Sequence, residues 1–185
     1  MRIFIALLLL FPTATLAQGF SSTIDADLTG DGLIDHAELS QNDATGDADL
    51  NIWVRQGDGN LRLRTKASSV VWIGGIGQQP ELAVTLHGSL LVHSMNESIG
   101  RNRWHQTLTV AWRKNAFVLA GYTYDSYDTL DLDASVSCDV NLLNGKGERF
   151  SGADLENKIT FRTKSRGGPI GNWNGNSPPE CDLEN

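Results

Sequence analysis

The sequence predicts an all-β domain: a meander of antiparallel hairpins arranged as a sandwich, a curled sheet or a small barrel, with at most a short helix. Three observations predict it. Beyond residue 48 apolar side chains recur with period two. Turn pairs such as Asp58-Gly59, His87-Gly88 and Asn144-Gly145 break the pattern at short intervals. No window longer than about ten residues sustains the 3.6-residue period of a helix.

The elements follow in order. "DLNIWVRQ" and "LRLRTK" flank "GDGN", and Asp-Gly between two alternating runs is a strong hairpin signal. "LRLR" alternates apolar with charged, so one face is expected to pack and the other to stay wet. "SSVVWIGG" reads as a separate apolar strand ended by glycines. "ELAVTLHGSLLVHSM" divides at His87-Gly88. "WHQTLTVAWRKNAFVLAGYTYDSY" divides at "RKNA". On its first arm Trp104, Gln106, Leu108, Val110 and Trp112 share one face, while His105, Thr107, Thr109, Ala111 and Arg113 share the other. "SVSCDVNLL", "NGKGERF" and "NKITFRTK" complete a series of about eight or nine strands.

The opening segment "MRIFIALLLLFPTATLA" has one Arg, a short apolar run and small residues up to Ala17. That is the layout of a secretory signal peptide, so residues 1–17 are expected to be a leader cut near Gln18. The run is shorter than the roughly 20 apolar residues that cross a bilayer, and no later run qualifies. The expected organisation is a leader (1–17), an N-terminal segment with an acidic loop (18–48), an antiparallel β domain (49–165) and a Gly/Pro-rich tail (166–185). The expected location is secreted or periplasmic. Cys138 and Cys181, an even count in an exported chain, are then expected to pair and pin the tail.

The formal net charge is −7, and no basic stripe runs along the chain. Nucleic acid and anionic membranes are therefore poor partners, because binding to phosphate backbones draws on clustered Lys and Arg.

The chemistry concentrates in "DADLTGDGLIDHAEL", residues 25–39. Calcium takes six to eight hard oxygens, and a tight loop supplies them from alternate positions with a glycine at the sixth. Counting from Asp27, Thr29 is third, Asp31 fifth, Gly32 sixth, Leu33 seventh (through its carbonyl), Asp35 ninth and Glu38 twelfth. Only Thr29 departs from D-x-[DN]-x-[DN]-G-x5-E, and a hydroxyl still coordinates, without charge. Ile34, the eighth residue, is apolar and is expected to tether the loop to a core. A frame begun at Asp25 places Leu33 and His36 at ligand positions and fits worse. "AELSQND" after the loop allows one or two helical turns. The competing reading is an acidic turn that holds no ion.

"DLTGDGLIDHAEL" followed by "DADLNIWVRQGDGNLRL" resembles the acidic loop and following strands of FG-GAP/VCBS (integrin-like) repeats. The remainder is similar to small exported bacterial proteins that carry such a loop. The resemblance implies calcium ligation by Asp27, Thr29, Asp31, Leu33 and Asp35; Glu38 is an EF-hand-like addition that the repeat family does not require.

Other constellations are weaker. Residues 43–49, "DATGDAD", lack the sixth-place glycine and read as a solvated connection. "DSYDTLDLD", 125–133, reads as a capped turn. His36, His87, His93 and His105 share no HExxH spacing, and no G-x-S-x-G elbow occurs. "NESIGRNRWHQ" places Arg101, Arg103, Trp104 and His105 around a glycine turn, a composition common in binding hot spots for a protein or glycan. The expected function is a calcium-binding, non-catalytic partner-binding module of the envelope or extracellular space. The alternatives are a hydrolase of an extracellular polymer, since glycosidase carboxylate pairs are assembled only in space, and a structural envelope component.

Overall fold

The computed structural model describes residues 19–182; the expected leader lies outside them. Among the described residues eleven strands form two antiparallel sheets. The smaller joins β1 (Ser21–Ala26), β2 (Asp35–Gln41), β3 (Asp47–Arg55) and β4 (Leu61–Trp72) in sequence order. The larger joins β5 (Glu81–Val84), β6 (Leu90–Asn96), β7 (Asn102–Arg113), β8 (Ala116–Asp128), β9 (Asp131–Asn141), β10 (Lys146–Ser151) and β11 (Asn157–Arg162), again without crossovers.

The two sheets share one core. Leu39, Leu50 and Ile52 come from the smaller sheet; Leu90, Val92, Leu108, Val110, Phe117 and Val140 come from the larger. Two packed sheets are a sandwich, not a closed barrel. Period two decides which residues enter. On β6, Leu90, Val92, Ser94 and Asn96 are buried, while Leu91, His93 and Met95 face outward and are half-buried. On β7 the register opposes Val92 to Leu108 and Ser94 to Gln106, which continues the inner face. The "RKNA" hairpin closes with positive φ at both Lys114 (49°) and Asn115 (64°), the signature of a tight I′ turn matched to strand twist.

The structure departs from the sequence expectations in three places. Residues 35–41 form strand β2 and not a helical turn, and β1 precedes it, so eleven strands replace eight or nine. The propensity of Ala37, Glu38 and Leu39 for helix is overridden by pairing on both sides, with Ala37 and Leu39 fully buried. "SSVVW" is no separate strand: β4 runs through it, absorbing register shifts opposite Ala48/Leu50 and Ile52/Trp53. The "LRLR" end is wet on both faces, with Leu61 40% and Leu63 52% exposed, because it projects past the core. There Arg64 lies 5.5 Å over the Trp112 ring.

The C-terminal segment closes one side. The Gly167 amide donates to Leu142 O (3.0 Å), and the Leu119 amide donates to Gly168 O (2.9 Å). A Cβ at Gly167 would lie 1.9 Å from Leu119 O, so only glycine permits that approach. Ile170 is fully buried, and Trp173 Nε1 donates to Val70 O of β4 at 3.0 Å. The segment thus touches both sheets before Cys181 joins Cys138 of β9 in a disulfide (Cα–Cα 5.5 Å), the pairing the sequence predicts.

Candidate functional site

The acidic loop is the connection of a hairpin. Ala26 pairs with Asp35, so residues 27–34 are held at both ends by the β1–β2 ladder. Gly30 and Gly32 adopt positive φ (80° and 84°), which lets the chain coil tightly. The coil closes on Asp27. Its Oδ1 accepts the amides of Gly30 (2.7 Å) and Asp31 (3.2 Å), and its Oδ2 accepts that of Gly32 (2.8 Å). These donors, Gly32 foremost, hold the Asp27 carboxyl below the usual carboxylate range against a smaller opposing effect of burial. Asp31 Oδ1 accepts the Leu33 amide at 2.9 Å. The Thr29 hydroxyl oxygen is buried and has no hydrogen-bond partner among the described residues.

The loop is tethered by Leu28, 3% exposed, and not by Ile34, which is 49% exposed. It leans on the β5–β6 turn, where a Cβ at Gly88 would lie 2.9 Å from Asp27 O.

Two of the expected ligands are engaged elsewhere. Asp35 is fully buried; its Oδ2 accepts the Leu28 amide (3.0 Å) and its Oδ1 the Arg55 amide (2.9 Å). Arg55 in turn donates through Nε to Ile34 O (2.7 Å) and through Nη1 to Gly59 O (2.9 Å). Asp35 therefore stitches the loop to the β3–β4 hairpin. Glu38 sits along β2 opposite Thr23 and accepts from the Ser21 hydroxyl at 3.2 Å. A twelfth-position ligand needs the exiting helix of an EF-hand to bring it back; an exiting strand carries it away. Asp25, outside the loop, binds His36 Nδ1 at 2.8 Å. The loop thus gathers Asp27, Thr29, Asp31 and Leu33 from the expected set. Among the described residues no three His, Cys, Asp or Glu side chains form a group able to hold a metal ion.

The expected partner-binding quartet divides between two faces. Trp104 lies on the inner side, against Trp72 (ring centroids 5.8 Å) and Tyr124 (6.3 Å). Alternation places Arg103 and His105 on the outer side. His105 Nε2 meets Glu97 Oε1 at 2.6 Å, and Arg103 Nη1 is buried without a partner among the described residues. Arg101 precedes β7 and spans both oxygens of Asp128 (2.7 and 2.6 Å), which holds the Asp128 carboxyl below its usual range. Asp128 Oδ1 also caps the β8–β9 turn by accepting the Leu130 amide at 2.9 Å.

Comparison of the chain with protein-family models, with curated proteins and with solved structures finds no match.

Proposed function

We propose that the β1–β2 loop binds calcium and that the protein is an exported, non-catalytic, partner-binding β module whose loop end is ordered by the ion. The observation that carries the reading is the buried, unpartnered Thr29 hydroxyl between Asp27 and Asp31. A buried oxygen without a donor is costly, and a cation is one group that satisfies it. The Asp27 and Asp31 carboxylates, the Thr29 hydroxyl and the Leu33 carbonyl would hold the ion, with water completing the shell. Only two ligands carry charge, so the affinity belongs to the weak extracellular class, a Kd on the order of 10⁻⁴–10⁻³ M. The partner contact runs through Arg101 and Arg103, at the end of β6 and β7 away from the loop, without Trp104.

The test is a thermal melt. Calcium at 100 times its Kd adds about 2.7 kcal/mol. At about 2–4 °C per kcal/mol for a domain of this size, the midpoint rises by roughly 5–11 °C over the chelated protein. Asp31→Ala, an exposed substitution, abolishes the rise. A wild-type melt indifferent to calcium and to chelator overturns the proposal.

A further inference from the structure

The outer face of the larger sheet carries a second set of donor atoms, unrelated to the acidic loop. His93 and Met95 project from β6, and His105 and Thr107 project from β7. In register His93 opposes Thr107, and Met95 opposes His105. The two imidazoles are thus diagonal neighbours across one strand pair, a relation that separates such residues by about 7–8 Å and lets long side chains meet. Met95 stands beside both. It is the one methionine beyond the initiator, the sequence having 2. These residues, with Gln79 and Glu81, line a recess of about 270 Å³.

Each ring has one nitrogen engaged by a neighbour, and the other has no partner among the described residues. His105 Nε2 lies 2.6 Å from Glu97 Oε1. The carboxylate itself is held, since Tyr127 Oη donates to Glu97 Oε2 at 3.0 Å and the Glu97 amide donates to Gln78 Oε1. With the Glu97 oxygen as acceptor, the proton of the neutral ring sits on Nε2 and Nδ1 keeps its lone pair. His93 Nδ1 lies 2.8 Å from Thr107 Oγ1. With the proton on that nitrogen, donated to the hydroxyl, Nε2 keeps its lone pair. Imidazoles tied back through one nitrogen are the arrangement seen in metal ligation, where the tie fixes the tautomer and raises basicity.

We propose that His93, His105 and Met95 form a Cu(I) site in this recess. The donor set selects the metal. A thioether is a soft ligand that favours Cu(I), and imidazole suits copper as well. Calcium requires oxygens, and zinc sites are built from four ligands of which thioether is not one. Two imidazoles and one sulfur suffice for a monovalent ion content with few ligands. Glu97 and Tyr127 act as positioning residues behind His105.

The test is an anaerobic titration of the exported chain, in calcium buffer, against Cu(I) held by bicinchoninate. The wild type is expected to withdraw one equivalent, and X-ray absorption on that copper is expected to show one sulfur and two nitrogen scatterers. His93→Ala and His105→Ala each lose the equivalent. Met95→Leu keeps the size and apolarity of the side chain, retains the wild-type melt, and weakens binding by at least about tenfold. Glu97→Gln weakens it by about 10–100-fold, the usual cost of losing a carboxylate behind a ligating histidine. Asp31→Ala, which removes a calcium ligand, leaves copper binding unchanged, so the two sites stand or fall separately. The proposal is overturned if the wild type leaves all copper with bicinchoninate, if its copper shows no sulfur neighbour, or if Met95→Leu binds as tightly as wild type.

Discussion

Asp35 separates a structural carboxylate from a metal ligand, and its replacement by alanine makes the difference measurable. The side chain is fully buried and each oxygen accepts one backbone amide, from Leu28 and from Arg55. Alanine leaves the buried Leu28 N–H and the part-buried Arg55 N–H without acceptors. Each such loss costs about 1–3 kcal/mol, so the pair costs roughly 4 kcal/mol. For a domain of this size that lowers the midpoint by about 8–16 °C. Asp35→Asn retains one carbonyl oxygen but turns an NH2 toward the other amide, and should lose at least half as much. The assay is urea and thermal unfolding, each in calcium and in chelator. The loss must be the same in both, because neither amide depends on an ion. A loss that vanishes in chelator, or one below about 1 kcal/mol, would refute the reasoning and return Asp35 to the ligand set.

Three further outcomes are expected. Reducing the Cys138–Cys181 bond, whose sequence separation is 43, should cost roughly 4 kcal/mol on the chain-entropy estimate; a reduced protein that melts like the oxidised one would show that the tail is held by packing alone. Gly167→Ala should loosen the tail, because its Cβ would fall 1.9 Å from Leu119 O; amide exchange at Leu119 should accelerate, and unchanged protection would contradict the close approach. Asp27 has a folded pKa below its unfolded value, so its stabilisation is complete above the ordinary carboxylate value of 3.8 and fades as pH falls below it. In chelator, Asp27→Asn should therefore flatten the acid limb of stability below pH 4 or so, and an unaltered limb would exclude the carboxylate as its source.

The strands that the sequence announces are those whose alternation is uninterrupted and whose turns are chemically explicit. β6, β7 and β8 are of this kind, and both "HG" and "KN" close hairpins as expected. The β1–β2 hairpin was hidden because its strands are short and polar. Glu38, Ser40 and Asp25 are ordinary strand residues only once β3 is beside them, and local propensity does not contain that partner. The fate of Asp35 was hidden for a related reason. A spacing rule ranks a carboxylate as a ligand by its place in the loop, but the Arg55 amide that claims it arrives from 20 residues away. The separation of Trp104 from Arg103 and His105, in contrast, follows directly from alternation on β7. The His93–Met95–His105 recess required the β6–β7 register, which the sequence leaves open because the turn between those strands has no fixed length.

Within each sheet every strand pairs only with its immediate neighbour in the chain, so nearly all ladder contacts are local and can form as the polypeptide emerges. The bond from Trp173 to Val70 is different, for it closes over 103 residues. The final stretch of polypeptide is the bolt: two hairpin arrays can zip independently and meet across their shared core, and the segment from Gly167 to Cys181 then fastens them together. A chain that folds from its N-terminus would therefore add this fastening last.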